Sequence, residues 1–203
     1  MSYRCDRRRL LKAGLAGAAM AAFPARLLAA NDAGRVVSPL LMDRARSALD
    51  GHTGLKRDLM AVVDFSQPSS ERRFHIVNLE DGRVDSLLVA HGRGSDPAHS
   101  GWLKRFSNDI GSEASSAGAF RTGSTYVGQH GRSRRLVGLD STNSNAEARA
   151  VVVHGAWYVT PALVRDRGKL GRSEGCFAVQ EDVISALLDR LGEGRLIYAG
   201  RSA

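Results

Sequence analysis

The sequence predicts a mainly β domain with one or two accessory helices. Short apolar runs rich in β-branched residues recur along the chain, turn residues separate them, and helical spacing is confined to two segments. The 173 residues that follow position 30 are enough for one domain with a sizeable core. The sequence has no internal repeat and no coiled-coil heptad, either of which would indicate another architecture.

The first segment, residues 1–30, has the features of an export signal. Residues 7–9 are arginines, residues 13–23 form an apolar, alanine-rich run, and Ala29 and Ala30 offer small residues for cleavage. The basic stretch also resembles the twin-arginine pattern. The alternative is an uncleaved membrane anchor, but about eleven apolar residues fall short of the roughly 20 that span a bilayer. We expect a twin-arginine-type signal peptide, export to the periplasm or cell envelope, and no stable membrane span.

Once this leader is set aside, the charge of the chain is mild. Residues 1–30 hold six basic side chains and one acidic side chain, so about +3 of the net charge of +8 remains for the rest. Nucleic-acid binding usually needs a concentrated basic stripe, so we expect no nucleic-acid partner. A mildly basic surface suits an anionic wall polymer. The sequence does not determine the oligomeric state.

The elements follow in order along the remaining chain. Pro39, at a favoured first helical position, opens a helical pattern that ends near Gly51. Later, apolar residues between 183 and 191 recur at helical spacing before Gly192. The strand candidates are residues 59–65, 74–79, 84–89, 125–127, 136–139, 150–154 and 195–199, with a hairpin turn at Asp81–Gly82. Residues 91–118 and 160–172 are expected to be loops, and the first is long enough to suggest a functional lid.

Cys176 is the first candidate for chemistry. The other cysteine, Cys5, lies in the leader, so an exported mature chain would offer Cys176 no partner for a structural disulfide. A lone cysteine is more often buried and structural, but Ser173 and Gly175 before it favour a reactive role. His154 ends a strand-like run 22 residues earlier, a separation that suits a strand, a loop and a return.

Cys176 and His154 together predict acyl transfer. An imidazole beside a thiol can accept its proton, and we expect a thiolate–imidazolium pair. Cys176 would then be the nucleophile, and His154 the general base and later the general acid. Backbone N–H groups near Gly175 and Cys176 would hold the oxyanion, because glycine lets the backbone approach closely. Ser173 would position the loop or donate to the substrate.

Three further residues are candidates for substrate binding. Arg172 carries a fork that suits a carboxylate, although a solvated arginine is equally compatible with the sequence. His91 follows an apolar strand and is either a site residue or a loop histidine, while the other histidines, His130 included, look ordinary. Tyr126 is the third candidate, through the resemblance described next. No zinc-type spacing and no phosphate loop occurs, so neither a metal nor a cofactor is expected.

At this point the residues resemble a known family, the murein L,D-transpeptidase catalytic domain of the YkuD-like group. The resemblance lies in Val153-His154-Gly155-Ala156 and in Gly171-Arg172-Ser173-Glu174-Gly175-Cys176, and it spans roughly residues 55–200. Many members have His where this chain has Glu174, and the branch resembled here varies at that position. Other matching pieces are His91-Gly92-Arg93-Gly94, Phe106-Ser107-Asn108, residues 115–118, Thr122-Gly123, Tyr126, Gly128, Gly131 and residues 136–139.

The resemblance implies a β-sandwich or barrel with the cysteine on a loop beside the histidine. It maps the nucleophile to Cys176, the base to His154, the carbonyl that orients this base to Gly155, and the family's Ser/Thr to Ser173. It divides the chain into a helical segment over residues 31–54 and a catalytic domain over residues 55–203.

The implied partners are peptidoglycan stem peptides. The enzyme would cleave the bond between the L-centre of diaminopimelate and a terminal D-Ala, and pass the acyl group to an amine of a second stem. A free D-amino acid, a wall-linked protein or water could equally accept it. Two alternatives therefore stay open: an L,D-carboxypeptidase at the same site, and a non-catalytic wall-binding domain.

Overall fold

Eight strands form one sheet in the computed structural model, which describes residues 37–202 of the chain. Three α-helices accompany the sheet: α1 (Pro39–Gly51), α2 (Pro161–Arg167) and α3 (Ile184–Leu191). The strands are β1 (Leu59–Asp64), β2 (Arg72–Asn78), β3 (Val84–Leu88), β4 (Gly118–Gly128), β5 (Gly131–Gly138), β6 (Val152–Gly155), β7 (Phe177–Val179) and β8 (Leu196–Gly200). The prediction of a mainly β fold is confirmed.

The sheet curls into a barrel. Its strand order is β3-β2-β1-β8-β4-β5-β6-β7, with parallel pairing of β1 with β8 and of β6 with β7. Ala90, just after β3, donates its N–H to the carbonyl of Ala178 in β7 at 2.9 Å, so the first and last strands in this order meet. This closure places the loop before β7 beside the segment that follows β3.

The barrel interior is packed with aromatic and aliphatic side chains. Phe177 in β7 stacks on Phe65 at 6.1 Å between ring centroids and meets Phe120 of β4 edge-on at 5.4 Å. Helix α3 covers this core, and its Leu187 and Leu191 are completely buried in the same cluster. Phe177 directly follows Cys176, so the core fixes the backbone position of the candidate nucleophile.

Helix α1 covers a different part of the sheet. Leu41, Ala45 and Leu49 recur on one face of the helix and are buried with Met60 of β1 and Leu196 of β8. The predicted helix, with Pro39 at its start and Gly51 at its end, is confirmed. The division of the chain into a segment over residues 31–54 and a catalytic domain over residues 55–203 stays a prediction.

Four elements differ from the sequence prediction. Strands β4 and β5 form a much longer hairpin than the two short strands expected over residues 125–127 and 136–139. The expected loop over residues 160–172 contains α2, because the Thr160 hydroxyl accepts the Leu163 N–H at 3.1 Å and Gly168 ends the helix with a φ of 67°. Strand β7 was not predicted, since three residues carry no periodicity.

The predicted leader lies outside the described residues. Within residues 37–202, every helix is too short or too polar to span a bilayer. The long segment between β3 and β4 is irregular apart from a short 3₁₀ turn at Arg93–Ser95, as its composition indicates.

Candidate active site

A cavity of about 860 Å³ opens beside β6, which carries His154, and beside Cys176 at the entry to β7. Four parts of the fold line it: the segment before β4, the tip of the β4–β5 hairpin, β6 with the residues on either side of it, and the loop before β7. Both His154 and Cys176 face this cavity. The 22-residue separation is therefore spanned by β6, α2 and a return to β7, a route consistent with the one inferred from the sequence.

The pairing of β6 with β7 determines how these two residues meet. His154 stands opposite Ala178 and Val153 opposite Phe177 in the parallel register. Cys176 comes one position before Phe177, at the entry to β7, while His154 lies near the end of β6. Completely buried neighbours such as Val153 and Phe177 fix this register. The His154 imidazole therefore reaches the cavity from β6, and the Cys176 thiol reaches it from the position just before β7.

The imidazole of His154 is held in one orientation. Its Nδ1 atom lies 2.9 Å from the carbonyl oxygen of Gly155, and a carbonyl can only accept a hydrogen bond. Nδ1 must therefore carry the proton, which leaves Nε2 of the neutral ring as a proton acceptor. The Gly155 carbonyl is thus positioned to orient the His154 ring, as the family resemblance implied.

The thiol of Cys176 is anchored by backbone groups of the segment before β6. Its Sγ donates a hydrogen bond to the carbonyl oxygen of Ala150 at 3.6 Å. Ala150 is a non-glycine residue with a φ of 53°, in the left-handed region that costs energy for a residue with a side chain. This strained residue aims its carbonyl at the candidate nucleophile.

Burial favours the neutral form of both groups. Desolvation raises the pKa of the Cys176 thiol, and the negative charge of Glu174 adds to the rise, while the Val152 N–H and the Arg149 guanidinium oppose it. Desolvation also lowers the pKa of His154. The directions of both pKa shifts oppose the resting thiolate–imidazolium pair expected from the sequence. The site is better described as a neutral thiol and a neutral imidazole that line the same cavity.

Ser173 braces the loop that carries the thiol. Its buried hydroxyl donates to the Cys176 carbonyl at 2.7 Å and accepts the Gly175 N–H at 3.2 Å. This second bond occupies the Gly175 N–H, which the sequence had suggested as an oxyanion donor. The Cys176 N–H is then the nearest backbone candidate for that role.

Gly175 is required for the shape of this loop. Its φ is 114°, a conformation that disfavours any side chain, and a Cβ there would lie 2.9 Å from the carbonyl oxygen of Ala114 and 3.1 Å from Nη2 of Arg149. The loop therefore packs directly against residues 112–115 and against the arginine. These neighbours belong to the protein itself, so the approach of the loop to a substrate oxyanion stays a prediction.

Arg149 is a cation at the cavity wall that sequence reasoning missed. Its guanidinium donates to the carbonyls of Ser107 and Ala114 and to the Ser116 hydroxyl, so its position is fixed by the long segment before β4. The charge of Arg149 lowers the pKa of Cys176. The signal in the sequence was slight: one arginine directly before a buried strand.

The three candidate substrate-binding residues take different positions. Arg172 and Tyr126 line the cavity, and Arg172 is tethered by donation to the carbonyls of Asp96 and Pro97. His91 does not line it: the side chain is 1% exposed and its ring contacts Arg73. The geometry therefore places His91 behind the loop and not against a substrate.

His91 is part of a buried polar network under the loop before β7, which carries Ser173 and Cys176. Arg73 donates to Nδ1 of His91 at 2.7 Å, and Nε2 of the ring faces Asp96 at 3.4 Å. Burial and the Arg73 charge lower the pKa of His91 to about 4, so the ring is neutral. The His91 carbonyl accepts the Ser173 N–H at 3.0 Å, which connects this network to the loop.

Two more residues at the cavity were not recognised as functional from the sequence. His130 stacks on the His154 ring with 4.3 Å between the ring centroids. Tyr158, four residues after His154, also lines the cavity, and burial raises its pKa to about 12, so the phenol remains a neutral donor. The glycines that flank Gln129 and His130 mark a hairpin turn, which was the available signal for His130.

Two other features complete the site. A second, smaller cavity of about 230 Å³ adjoins the first and shares Tyr158 and Arg172 with it. In the part of the chain that the structure describes, no group of three or more His, Cys, Asp or Glu side chains is arranged to hold a metal ion.

Comparisons with known proteins show the family to which the chain belongs. A sequence model of the L,D-transpeptidase catalytic domain matches residues 40–199. No curated protein matches the chain. Similar solved structures include the L,D-transpeptidase from Mycobacterium smegmatis, with 16% identity, a TM-score of 0.42 and coverage of 70% of this chain and 58% of that one.

Two more solved structures are similar at the same level. L,D-transpeptidase 3 from Mycobacterium tuberculosis has 16% identity and a TM-score of 0.40, with coverage of 71% of this chain and 61% of that one. A mutant of the helical cell shape determining protein Pgp2 from Campylobacter jejuni has 12% identity and a TM-score of 0.46, with coverage of 82% of this chain and 58% of that one. The chain thus spans about six-tenths of the length of these proteins.

Proposed function

Because the chain belongs to the L,D-transpeptidase catalytic domain family, we propose that it is a cysteine-dependent acyltransferase acting on peptidoglycan stem peptides. The observation that supports this most directly is the arrangement of His154 and Cys176. His154 lies on β6 and Cys176 directly before the adjacent β7, both line one cavity, and the Gly155 carbonyl leaves Nε2 of His154 to accept a proton.

In the first half of the reaction, the Cys176 sulfur attacks the carbonyl carbon of the diaminopimelate–D-Ala amide. As the carbon–sulfur bond forms, the thiol proton passes to Nε2 of His154. The raised thiol pKa and the lowered imidazole pKa mean that both groups begin in the state this transfer needs. Charge that develops on sulfur is stabilised by Arg149, and the Cys176 N–H is the candidate donor to the oxyanion.

Collapse of the tetrahedral intermediate completes acylation. The carbon–nitrogen bond breaks, His154 returns its proton to the leaving D-Ala amine, and a thioester remains on Cys176. An acceptor amine then loses a proton to His154 as it attacks the thioester, which forms a new amide and restores the thiol. The larger cavity, which Cys176 lines, and the smaller cavity share Tyr158 and Arg172, which supports the proposal that the donor and acceptor peptides reach the site from two directions.

The test is product analysis with purified muropeptides, with and without an amine acceptor. We expect the wild-type chain to release D-Ala and form the acceptor adduct, and Cys176→Ala to form neither while its unfolding curve is retained. Release of D-Ala with no adduct at any acceptor concentration would establish an L,D-carboxypeptidase instead. Full turnover by folded Cys176→Ala would remove the cysteine mechanism, and binding without turnover by the wild type would leave a wall-binding domain.

We also propose that residues 1–30 direct export through the twin-arginine route. This segment lies outside the described residues, so its sequence alone supports the proposal: arginines at positions 7–9 followed by a short apolar run. Replacing Arg7 and Arg8 by lysine should retain the chain in the cytoplasm. Unchanged delivery to the cell envelope would refute the twin-arginine route.

A further inference from the structure

His130 lies at the tip of the β4–β5 hairpin, with its ring against the imidazole of His154. The ring centroids are 4.3 Å apart and the planes differ by 24°, so the contact is a stack over one face of the ring. We propose that His130 is a positioning residue for the base, which holds the His154 ring in place and keeps it neutral for proton removal from Cys176. This rests on the proposed function, since it assigns His154 the role of base.

The hairpin tip is built so that His130 has a defined position. Gly128 pairs with Gly131, which leaves Gln129 and His130 as a two-residue loop, and Gly131 takes the left-handed conformation with a φ of 69°. A Cβ on Gly128 would lie 2.8 Å from the Tyr126 ring. Glycine at both ends of the loop is therefore required by the turn and by the neighbouring aromatic side chain.

Contacts outside the loop hold the hairpin against the body of the domain. Arg132, directly after the turn, donates to the Ser185 hydroxyl at 3.0 Å and pairs with Asp189 of α3. Arg135, also on β5, stacks its guanidinium over the Tyr126 ring of β4 at 4.6 Å from the ring centroid. The first contacts hold β5 against α3 and the second ties β4 to β5, so the hairpin that carries His130 is restrained.

The stack acts on His154 in two ways. First, the Gly155 carbonyl holds the ring at Nδ1 while His130 covers one face of it. Second, after the larger effect of burial, the electrostatic effect of His130 lowers the pKa of His154. Both effects lower the tendency of His154 to take a proton from solvent, in line with the direction of its pKa.

Other charged and titratable groups face the same cavity and contribute to the field at His154. Glu113 and Glu174 are both paired with Arg93. The full set comprises Glu113 before β4, Tyr126 on β4, Arg149 before β6, Tyr158 after β6, and Arg172, Glu174 and Cys176 before β7, with Arg132, Glu181 and Asp189 on the elements packed behind. His130 differs from these groups in that its ring touches that of His154.

The test separates ring cover from the electrostatic effect of the His130 imidazole with two variants. His130→Ala removes both, whereas His130→Phe keeps an aromatic ring and removes the imidazole. Val127→Ala is the matched control, because Val127 lies on the same hairpin, is 82% exposed and does not line the cavity. The readout is an NMR titration of the His154 ring in each full-length protein, together with iodoacetamide labelling of Cys176 across the same pH range.

We expect the His154 titration midpoint to rise in the order wild type, His130→Phe, His130→Ala, with Val127→Ala unchanged. At about pH 5.5, labelling of His130→Ala should be several-fold slower than that of the wild type, because more His154 is protonated there. Equal midpoints in His130→Ala and Val127→Ala would overturn the proposal. Neither readout uses peptidoglycan, so the positioning role can fail while transfer activity persists, and can hold if the substrate is a different amide.

Discussion

The Ser173 hydroxyl joins two backbone groups of the loop before β7. Removing this hydroxyl tests directly how the loop is held. Ser173 donates to the Cys176 carbonyl at 2.7 Å and accepts the Gly175 N–H at 3.2 Å. Ser173→Ala deletes both bonds without adding bulk. Since the residue is only 3% exposed, solvent cannot readily replace the lost hydroxyl.

The expected magnitude follows from these two bonds. A typical hydrogen bond contributes about 1 kcal/mol net, so the loop loses about 2 kcal/mol of support. If all of this support acts on the geometry of attack, Cys176 acylation slows about 30-fold. Ser173→Thr is the matched control, because it retains the hydroxyl at the same position, and it should recover most of the rate.

The assay is the rate of Cys176 acylation by a defined tetrapeptide, followed by intact-protein mass spectrometry. Thermal unfolding of the same samples separates loop effects from loss of the fold, since about 2 kcal/mol also lowers the midpoint by several degrees in a domain of this size. The bracing role of Ser173 is refuted if Ser173→Ala acylates as fast as the wild type. It is also refuted if Ser173→Thr is as slow as Ser173→Ala while remaining folded.

Three more perturbations test separate contacts. Arg149→Met removes the cation that lowers the pKa of Cys176, so iodoacetamide labelling at neutral pH should slow about threefold or more; unchanged labelling would exclude charge support. Gly175→Ala forces a side chain onto a φ of 114°, and we expect a lower unfolding midpoint and no acylation, whereas normal acylation would contradict the described loop. The hydrogen bond from the Arg195 guanidinium holds the Asp58 pKa below its ordinary 3.8. The ionised Asp58 therefore stabilises the fold above pH 3.8, and this stabilisation is lost as the pH falls below that value through the folded-state pKa. In urea unfolding, the advantage of the wild type over Asp58→Asn should therefore shrink below pH 3.8, and a constant difference would contradict this linkage.

The β fold and its first helix were accessible from sequence because local patterns determine them. Pro39 and Gly51 mark the two ends of α1, and the β-branched run over residues 59–65 coincides with β1. Helix α2 could have been predicted as well, since Thr160 and Pro161 begin it with cap chemistry. The long β4–β5 hairpin was harder, because its glycines and arginines dilute the alternation of apolar residues.

The candidate nucleophile and base were also predictable, but their surroundings were not. Cys176 follows a glycine and His154 ends an apolar strand, and both signals are local in sequence. Arg149 is held at the cavity by the long segment before β4, and His130 is brought there by the register of the β4–β5 hairpin. Neither arrangement can be read from local sequence. The protonation states depend on burial, which spacing does not report; for this reason a resting ion pair was expected where the shifts favour neutral groups.

The mass of the intact protein after incubation with a defined tetrapeptide tests the central claim most directly. If the Cys176 sulfur displaces D-Ala with His154 as its base, the wild type gains one tripeptide acyl group, which disappears when an amine is added. Cys176→Ala and His154→Gln, folded by the same unfolding assay, should gain nothing. An unmodified wild type at every time point, or an equal adduct on Cys176→Ala, would contradict the account.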